Sequence, residues 1–152
     1  RHKCERIARL GAYYAGVIRR QLPGCTIGAY MCPWQPEEFD RALTRIFAQD
    51  YTMLAPAIDI FTPLIYAKKS GRSPDWGRAF LEAEAGFIPP EREVQLILDA
   101  LDFPDSLEAA AAASRPSYGI QMFNGAQVFS DPQKAAVFRT AVEEIRARLD
   151  TA

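Results

Sequence analysis

The chain has 152 residues, of which 49% are hydrophobic and 24% are charged, and this balance is typical of a soluble globular protein rather than a disordered segment. Eighteen Lys and Arg against nineteen Asp and Glu leave a formal net charge of -1, so no overall field attracts nucleic acid or an anionic membrane. No apolar stretch reaches the roughly 18 residues that a spanning helix needs. We therefore expect neither nucleic acid nor a membrane as a partner.

The cysteines and the histidine are poorly placed for metal or nucleophile chemistry. Cys4, Cys25 and Cys32 lack the paired CxxC spacing of zinc sites, and His2 is the only histidine. The sequence therefore predicts no metal, no cofactor and no histidine-based triad. It gives no cellular location. The opening at Arg1 is neither a signal peptide nor an initiator, so we expect a segment of a longer protein.

Helical and strand patterns alternate along the chain in the order α-(βα)4. Apolar residues at helical spacing predict five helices, at 4–21, 36–55, 73–86, 107–113 and 131–149. Short apolar runs between breakers predict four strands, at 26–31, 60–66, 94–101 and 118–123. Pro63 is awkward in the second strand, because proline donates no ladder hydrogen bond. Such alternation implies parallel strands joined by right-handed crossovers, so the predicted class is α/β.

Some residues are expected to serve the fold rather than a site. Asp59 lies at the entering end of its strand, which favours a structural role. Asp102 and Asp105 are expected to cap the helix that follows them. The helix at 36–55 is expected to bury one apolar face, formed by Phe39, Leu43, Ile46, Phe47, Leu54 and the following Ile58.

Polar side chains of one parity collect towards the carboxyl ends of the predicted strands. In a parallel α/β sheet, the loops that leave these ends form the binding sites. Alternate side chains share a face of a strand, and the faces that carry polar atoms end in Tyr30, Tyr66, Asp99 and Gln121. Trp34 and Phe123 add aromatic surface beside them. We therefore predict that these side chains converge on one pocket.

Aromatic walls with a polar floor are typical of carbohydrate sites, because a sugar ring has an apolar face and a hydroxyl edge. The candidate substrate-binding residues are Tyr30, Trp34, Tyr66, Lys68, Gln121 and Phe123. Aromatic residues at strand ends are also common in cores, and the basic loop of Lys68, Lys69 and Arg72 either holds an anionic substituent or is simply solvated.

Asp99 is the candidate catalytic residue. It is an acid on an otherwise apolar run, where an unpaired buried carboxylate is costly. The alternative is a strand-end carboxylate paired with Lys68 or another cation.

Three segments resemble glycoside-hydrolase-like (β/α)8 barrel proteins. They read IGAYMCPW at 27–34, DIFTPLIY at 59–66 and YGIQMF at 118–123, with Asp50-Tyr51 between the first two. The resemblance covers most of the chain, and it implies that residues 1–152 form a single partial domain. That domain would be the carboxy-terminal half of a TIM (β/α)8 barrel, with four parallel strands, the fifth to the eighth, alternating with helices.

The resemblance also implies a function, namely part of a glycoside-hydrolase-like barrel acting on carbohydrate. Glycoside hydrolysis generally uses two carboxyl groups, and the resemblance places a key one on the fourth strand, outside this segment. We therefore expect the segment to be inactive alone. We also expect it to recruit the other half or to self-associate, because four strands leave open edges.

Two other interpretations stay open. The first is a carbohydrate-binding or scaffold barrel without turnover. The second is an unrelated α/β module such as an open four-stranded sheet, which predicts a reversal of strand order with helices on both faces.

Overall fold

A computed structural model describes residues 1–151, and Ala152 lies outside the described range. The chain divides into two compact units. The first comprises Arg1–Thr62 and Glu84–Glu93, and the second comprises Pro63–Ala83 and the chain from Val94 onwards.

Five short strands form one sheet. They are β1 (Gly28–Met31), β2 (Ile60–Ile65), β3 (Glu93–Val94), β4 (Leu96–Asp99) and β5 (Ile120–Phe123). The strand order is β1-β2-β4-β5, and β3 also pairs with β2. β4 pairs in parallel with β2 on one side and with β5 on the other. The predicted α/β class and parallel pairing are confirmed, whereas closure into a barrel stays a prediction.

The order of the strands separates two of the interpretations above. Along the path β1-β2-β4-β5 the strands keep their order in the chain, as successive strands of a barrel do, and the two-residue β3 between β2 and β4 lies off this path. The reversal of order that an open doubly wound sheet requires is not observed among the described strands.

Seven α-helices accompany the strands within residues 1–151. They are α1 (His2–Gln21), α2 (Glu38–Arg45), α3 (Tyr51–Leu54), α4 (Trp76–Ala83), α5 (Asp105–Ala111), α6 (Ala126–Phe129) and α7 (Pro132–Leu149). Single 3-10 turns occur at Lys68–Ser70, Glu84–Gly86 and Ala100–Asp102. None of the helices in this part of the chain is long and apolar enough to cross a membrane.

The helix predicted at 36–55 is in fact two helices, α2 and α3. Phe39 to Arg41 adopt left-handed backbone dihedral angles, and Ala48 has a φ of 57°. Asp50 then begins α3 by accepting a hydrogen bond from the Met53 N–H at 3.0 Å. The expected continuous apolar face is therefore wrong. Leu43, Leu54 and Ile58 are buried, but Phe39, Ile46 and Phe47 are exposed.

Pro63 lies inside β2, as the sequence predicts. Opposite β2, the expected single strand at 94–101 is two pieces, β3 and β4, and both of them pair with β2. Because proline carries no N–H, β2 lacks one donor for its ladder. The proline is thus tolerated within a strand that has neighbours on both sides.

The core of the first unit is built on aromatic contacts. The ring of Tyr51 meets Phe61 edge to face at 4.9 Å between centroids, and it lies 5.4 Å from the ring of Phe87. At the entering end of β2, the Asp59 N–H donates to the carbonyl of Ile27 at 2.8 Å.

The second unit has β4 at its centre, since all four residues of that strand are buried. Helix α4 lies against the sheet at Gly77, where an added Cβ would stand 3.2 Å from Leu96 Cδ1. From α7, Arg148 donates to the carbonyl oxygens of Ala111, Ala113 and Ser114 at the end of α5. These contacts tie both helices into the unit that carries most of the candidate site residues.

Candidate functional site

Three neighbouring strands of the second unit end at one edge of the sheet. Tyr66 follows β2, Asp99 ends β4 and Phe123 ends β5. Asp99 lies directly opposite Phe123 in the parallel register of β4 and β5. The carboxyl ends of the strands therefore present an acid between two aromatic residues.

The carboxylate of Asp99 is fully buried, with a relative exposure of 0%. Its Oδ1 accepts a hydrogen bond of 3.0 Å from the N–H of Leu101, which fixes the acid against the 3-10 turn that follows β4. Its Oδ2 lies 2.5 Å from Nζ of Lys69, and this contact is an ion pair by distance rather than a hydrogen bond of good geometry. The buried carboxylate of Asp99 is therefore compensated by the nearby ammonium group of Lys69.

Lys69 joins the acid to the aromatic residues. Its Nζ lies 4.8 Å from the centroid of the Phe123 ring and 5.4 Å from that of Tyr66. The two rings are themselves stacked, 5.0 Å apart with an interplanar angle of 29°. We refer to Tyr66, Lys69, Asp99 and Phe123 as the strand-end cluster. Each ring face favours a cation, as the carboxylate does.

Gln121 lies deeper on the same face of the sheet. Its Nε2 donates a short hydrogen bond of 2.6 Å to Oε1 of Gln95. Gln95 comes directly before β4 and has the same parity as Asp99, and Gln121 and Phe123 share the parity of β5. The shared face that strand parity predicts is therefore observed for β4 and β5 at these positions.

Lys68 is outside the strand-end cluster. Its backbone N–H donates to Oδ1 of Asp102 at 3.0 Å, and Lys68 is exposed. This contact also corrects the role expected for Asp102 and Asp105. Helix α5 begins after Pro104, which provides no side-chain cap, and the Asp102 carboxylate faces the loop after β2 instead.

Tyr30 and Trp34 belong to the first unit. Tyr30 is 64% exposed near the end of β1, and its carbonyl accepts a hydrogen bond of 3.3 Å from Gln49 Nε2. Trp34 packs edge to face on Phe39 and Phe47, with centroids 5.0 Å and 5.3 Å away. The ring of Trp34 therefore packs against other aromatic residues of the first unit.

The first unit also contains weakly acidic groups that are not activated. Burial raises the pKa of the Cys32 thiol, so the thiolate that a nucleophile needs is disfavoured. Burial, with smaller contributions from the charges of Cys32 and Glu84, raises the pKa of Tyr51. Within residues 1–151, no group of three or more His, Cys, Asp or Glu is placed to hold a metal ion.

Lys69 is the residue that sequence reasoning missed. The sequence predicts a basic loop at Lys68, Lys69 and Arg72 and indicates Lys68 as the substrate-binding candidate. The 3-10 turn at Lys68–Ser70 brings the amine of Lys69, not that of Lys68, to Asp99. The available signal was the preference of a buried carboxylate for a nearby cation, and it does not distinguish adjacent lysines.

Comparison with known proteins adds no relative. No protein-family model matches the sequence, and no curated protein or solved structure does either.

Proposed function

We propose that this chain is part of a glycoside-hydrolase-like barrel that acts on carbohydrate, and that it supplies the sugar-binding residues. The observation that carries the proposal is the strand-end cluster, in which Tyr66 and Phe123 stack beside the Lys69–Asp99 ion pair. Binding sites of parallel α/β folds form at this edge of the sheet.

The chemistry of the cluster suits a sugar ring. Phe123 is 42% exposed and provides apolar surface on which the CH face of a sugar can pack. Lys69 is partly exposed and provides N–H donors for the hydroxyl oxygens of a neutral sugar. Gln95 and Gln121 add amide groups on the same face. Apolar surface with a few convergent polar groups is the usual composition of a ligand site.

The bonding of Asp99 favours a second candidate, a carbohydrate-binding barrel without turnover. A catalytic acid or nucleophile has to reach the glycosidic bond. Asp99 is fully buried and has Leu101 N–H and Lys69 Nζ as neighbours of its two oxygens. In this second candidate, Asp99 orients Lys69 and does not touch the reacting atoms.

Sugar binding is tested by calorimetric titration of the intact protein with neutral and amino oligosaccharides. We expect Tyr66→Ala and Phe123→Ala each to weaken binding by about fivefold or more, because each removes stacking surface worth about 1 kcal/mol or more. Tyr13→Ala is the matched control, since Tyr13 is an exposed aromatic residue of α1. Failure to bind any of these sugars, or equal losses in all three variants, would contradict the proposal.

Turnover separates the two candidates. We expect Asp99→Asn to reduce kcat at least a hundredfold if Asp99 acts on the bond. If Asp99 only orients Lys69, the same change raises KM and alters kcat little. Intact protein that binds a sugar and does not cleave it supports the non-catalytic candidate.

A further inference from the structure

The strand-end cluster holds an ammonium group that belongs to the chain itself. Nζ of Lys69 has Asp99 Oδ2 at 2.5 Å and the two ring centroids at 4.8 Å and 5.4 Å. A carboxylate beside two aromatic rings is a combination that binds organic cations, because all three groups present negative potential. The geometry around Lys69 therefore defines a receptor for an ammonium group.

Asp99 and Phe123 lie on paired strands, whereas Lys69 lies on a short turn. Asp99 is fully buried, and its register partner Phe123 is fixed by the pairing of β4 with β5. Lys69 comes from the single 3-10 turn Lys68–Ser70, and its side chain is 44% exposed. Gly71 ends this turn with a left-handed φ of 64°. A short exposed turn is easier to displace than two paired strands.

We propose that Asp99, Tyr66 and Phe123 form a binding site for a ligand ammonium group, which Lys69 fills in the free protein and leaves when the ligand binds. A sugar with an unacetylated primary amine carries the same charged group as lysine, so the ligand class is an amino sugar. The sugar part rests on the proposed function, whereas the ammonium part rests on the cluster alone. Because the ligand competes with Lys69, that residue sets the affinity.

Lys69→Met removes the internal ammonium group and keeps an apolar stem of similar length. The variant leaves the buried Asp99 carboxylate without its cation, so we expect the Tm to fall by about 5 °C. Methylammonium chloride at tens of millimolar is expected to raise that Tm in a saturable manner, and more than the same concentration of potassium chloride. Lys68→Met is the matched control, for which neither the loss nor the rescue is expected.

The role of the acid is tested in the same assay. In the double variant Lys69→Met with Asp99→Asn, methylammonium is expected to act no differently from potassium, because the charge that binds it is gone. If methylammonium raises the Tm of Lys69→Met no more than potassium does, the ammonium site is disproved.

A second measurement uses the wild-type protein and so does not depend on how the variants fold. Acetic anhydride, added at a concentration far below that of the sugar so that glucosamine is not depleted, acetylates exposed amines, and peptide mass spectrometry compares Lys69 with its neighbour Lys68. Saturating glucosamine is expected to raise the acetylation rate of Lys69 at least twofold relative to Lys68, since a displaced amine is more accessible. An unchanged ratio would overturn the displacement of Lys69.

Whether the ligand is an amino sugar is tested separately with the Lys69→Met variant. Glucosamine is expected to bind at least tenfold more tightly than methylammonium, because the ring adds contacts with Phe123 and Tyr66. N-acetylglucosamine, which carries no charge, is expected to give no rescue. Rescue by methylammonium without any gain from glucosamine would leave the ammonium site standing and would count against the carbohydrate function.

Discussion

Arg19 of α1 donates a hydrogen bond of 2.8 Å to Oδ1 of Asp59, just before β2. The other carboxylate oxygen accepts the N–H of Ile27 at 2.9 Å, and Arg92 approaches Oδ1 at 3.9 Å. Burial alone would raise the pKa of Asp59, but the Ile27 N–H and the two guanidinium groups outweigh it and lower the pKa. The structural role that the sequence predicts for Asp59 agrees with these contacts.

Asp59→Asn is expected to lower stability in a pH-dependent manner. The folded-state pKa of Asp59 lies below that of the unfolded chain, which is about 3.9, so its contribution is present above that pH and is lost as the pH falls through the folded-state value. We expect a deficit of about 1 kcal/mol at pH 7. Urea unfolding of both proteins from pH 7 to pH 3 measures it. A deficit that grows towards pH 3 would contradict the assignment, and Glu91→Gln is the exposed control.

Ser117→Ala removes a single hydroxyl group, but we expect it to lower the stability of the second unit substantially. The buried hydroxyl accepts the N–H of Leu96 at 3.1 Å and lies within hydrogen-bond distance of the carbonyls of Gly119 and Val94. Its removal leaves buried backbone groups unpaired, at a cost of about 1–3 kcal/mol. The midpoint of urea unfolding gives the value. Ser114→Ala, at an exposed serine, is expected to change it by less than about 0.5 kcal/mol.

Arg148→Lys is expected to loosen the contact between α7 and α5. The guanidinium group reaches three carbonyl oxygens, those of Ala111, Ala113 and Ser114, and a lysine amine cannot reproduce that planar fork. We expect a loss of about 1–2 kcal/mol and faster amide exchange in the last turn of α5. Arg146→Lys, on an exposed position of α7, provides the comparison. Equal effects of the two changes would show that the fork contributes nothing.

Gly77→Val tests how closely α4 approaches the sheet. A Cβ at Gly77 would meet Leu96 Cδ1 at 3.2 Å and Ile65 Cγ2 at 3.5 Å, so a branched side chain has no room and overpacks the core. We expect a loss of about 1–3 kcal/mol in thermal or urea unfolding. At Gly86 an added Cβ meets nothing within 4 Å, and Gly86→Val is expected to be milder. A harmless Gly77→Val would show that α4 can move away from β4.

Elements with local signals were predictable from the sequence. Asp131-Pro132 predicts the start of α7, and the Asp131 carboxylate indeed accepts the N–H groups of Gln133 and Lys134 at 2.9 Å and 3.3 Å. The alternation of strands and helices similarly predicts parallel pairing. These signals depend on neighbours in the chain, which the sequence displays directly.

The break in the helix at 36–55 and the lysine that pairs with Asp99 could not be predicted, because both depend on the path of the backbone. Phe39, Asp40 and Arg41 adopt left-handed dihedral angles without a glycine among them, so no residue type marks the position where the helix at 36–55 fails. The choice between Lys68 and Lys69 as the partner of Asp99 likewise depends on the orientation of one 3-10 turn. The acid itself was predictable, because a carboxylate within an apolar run requires compensation.

β1 and β5 lie at the two ends of the strand order. Their sequences, Gly28–Met31 and Ile120–Phe123, contain no charged residue, and charged side chains on end strands are a common means of preventing edge-to-edge aggregation. Solubility during expression and refolding is therefore expected to depend on what covers these two strands more than on the free energy of unfolding. A lysine introduced at Tyr30 or Met122 should increase the recovered soluble yield even where it lowers the Tm.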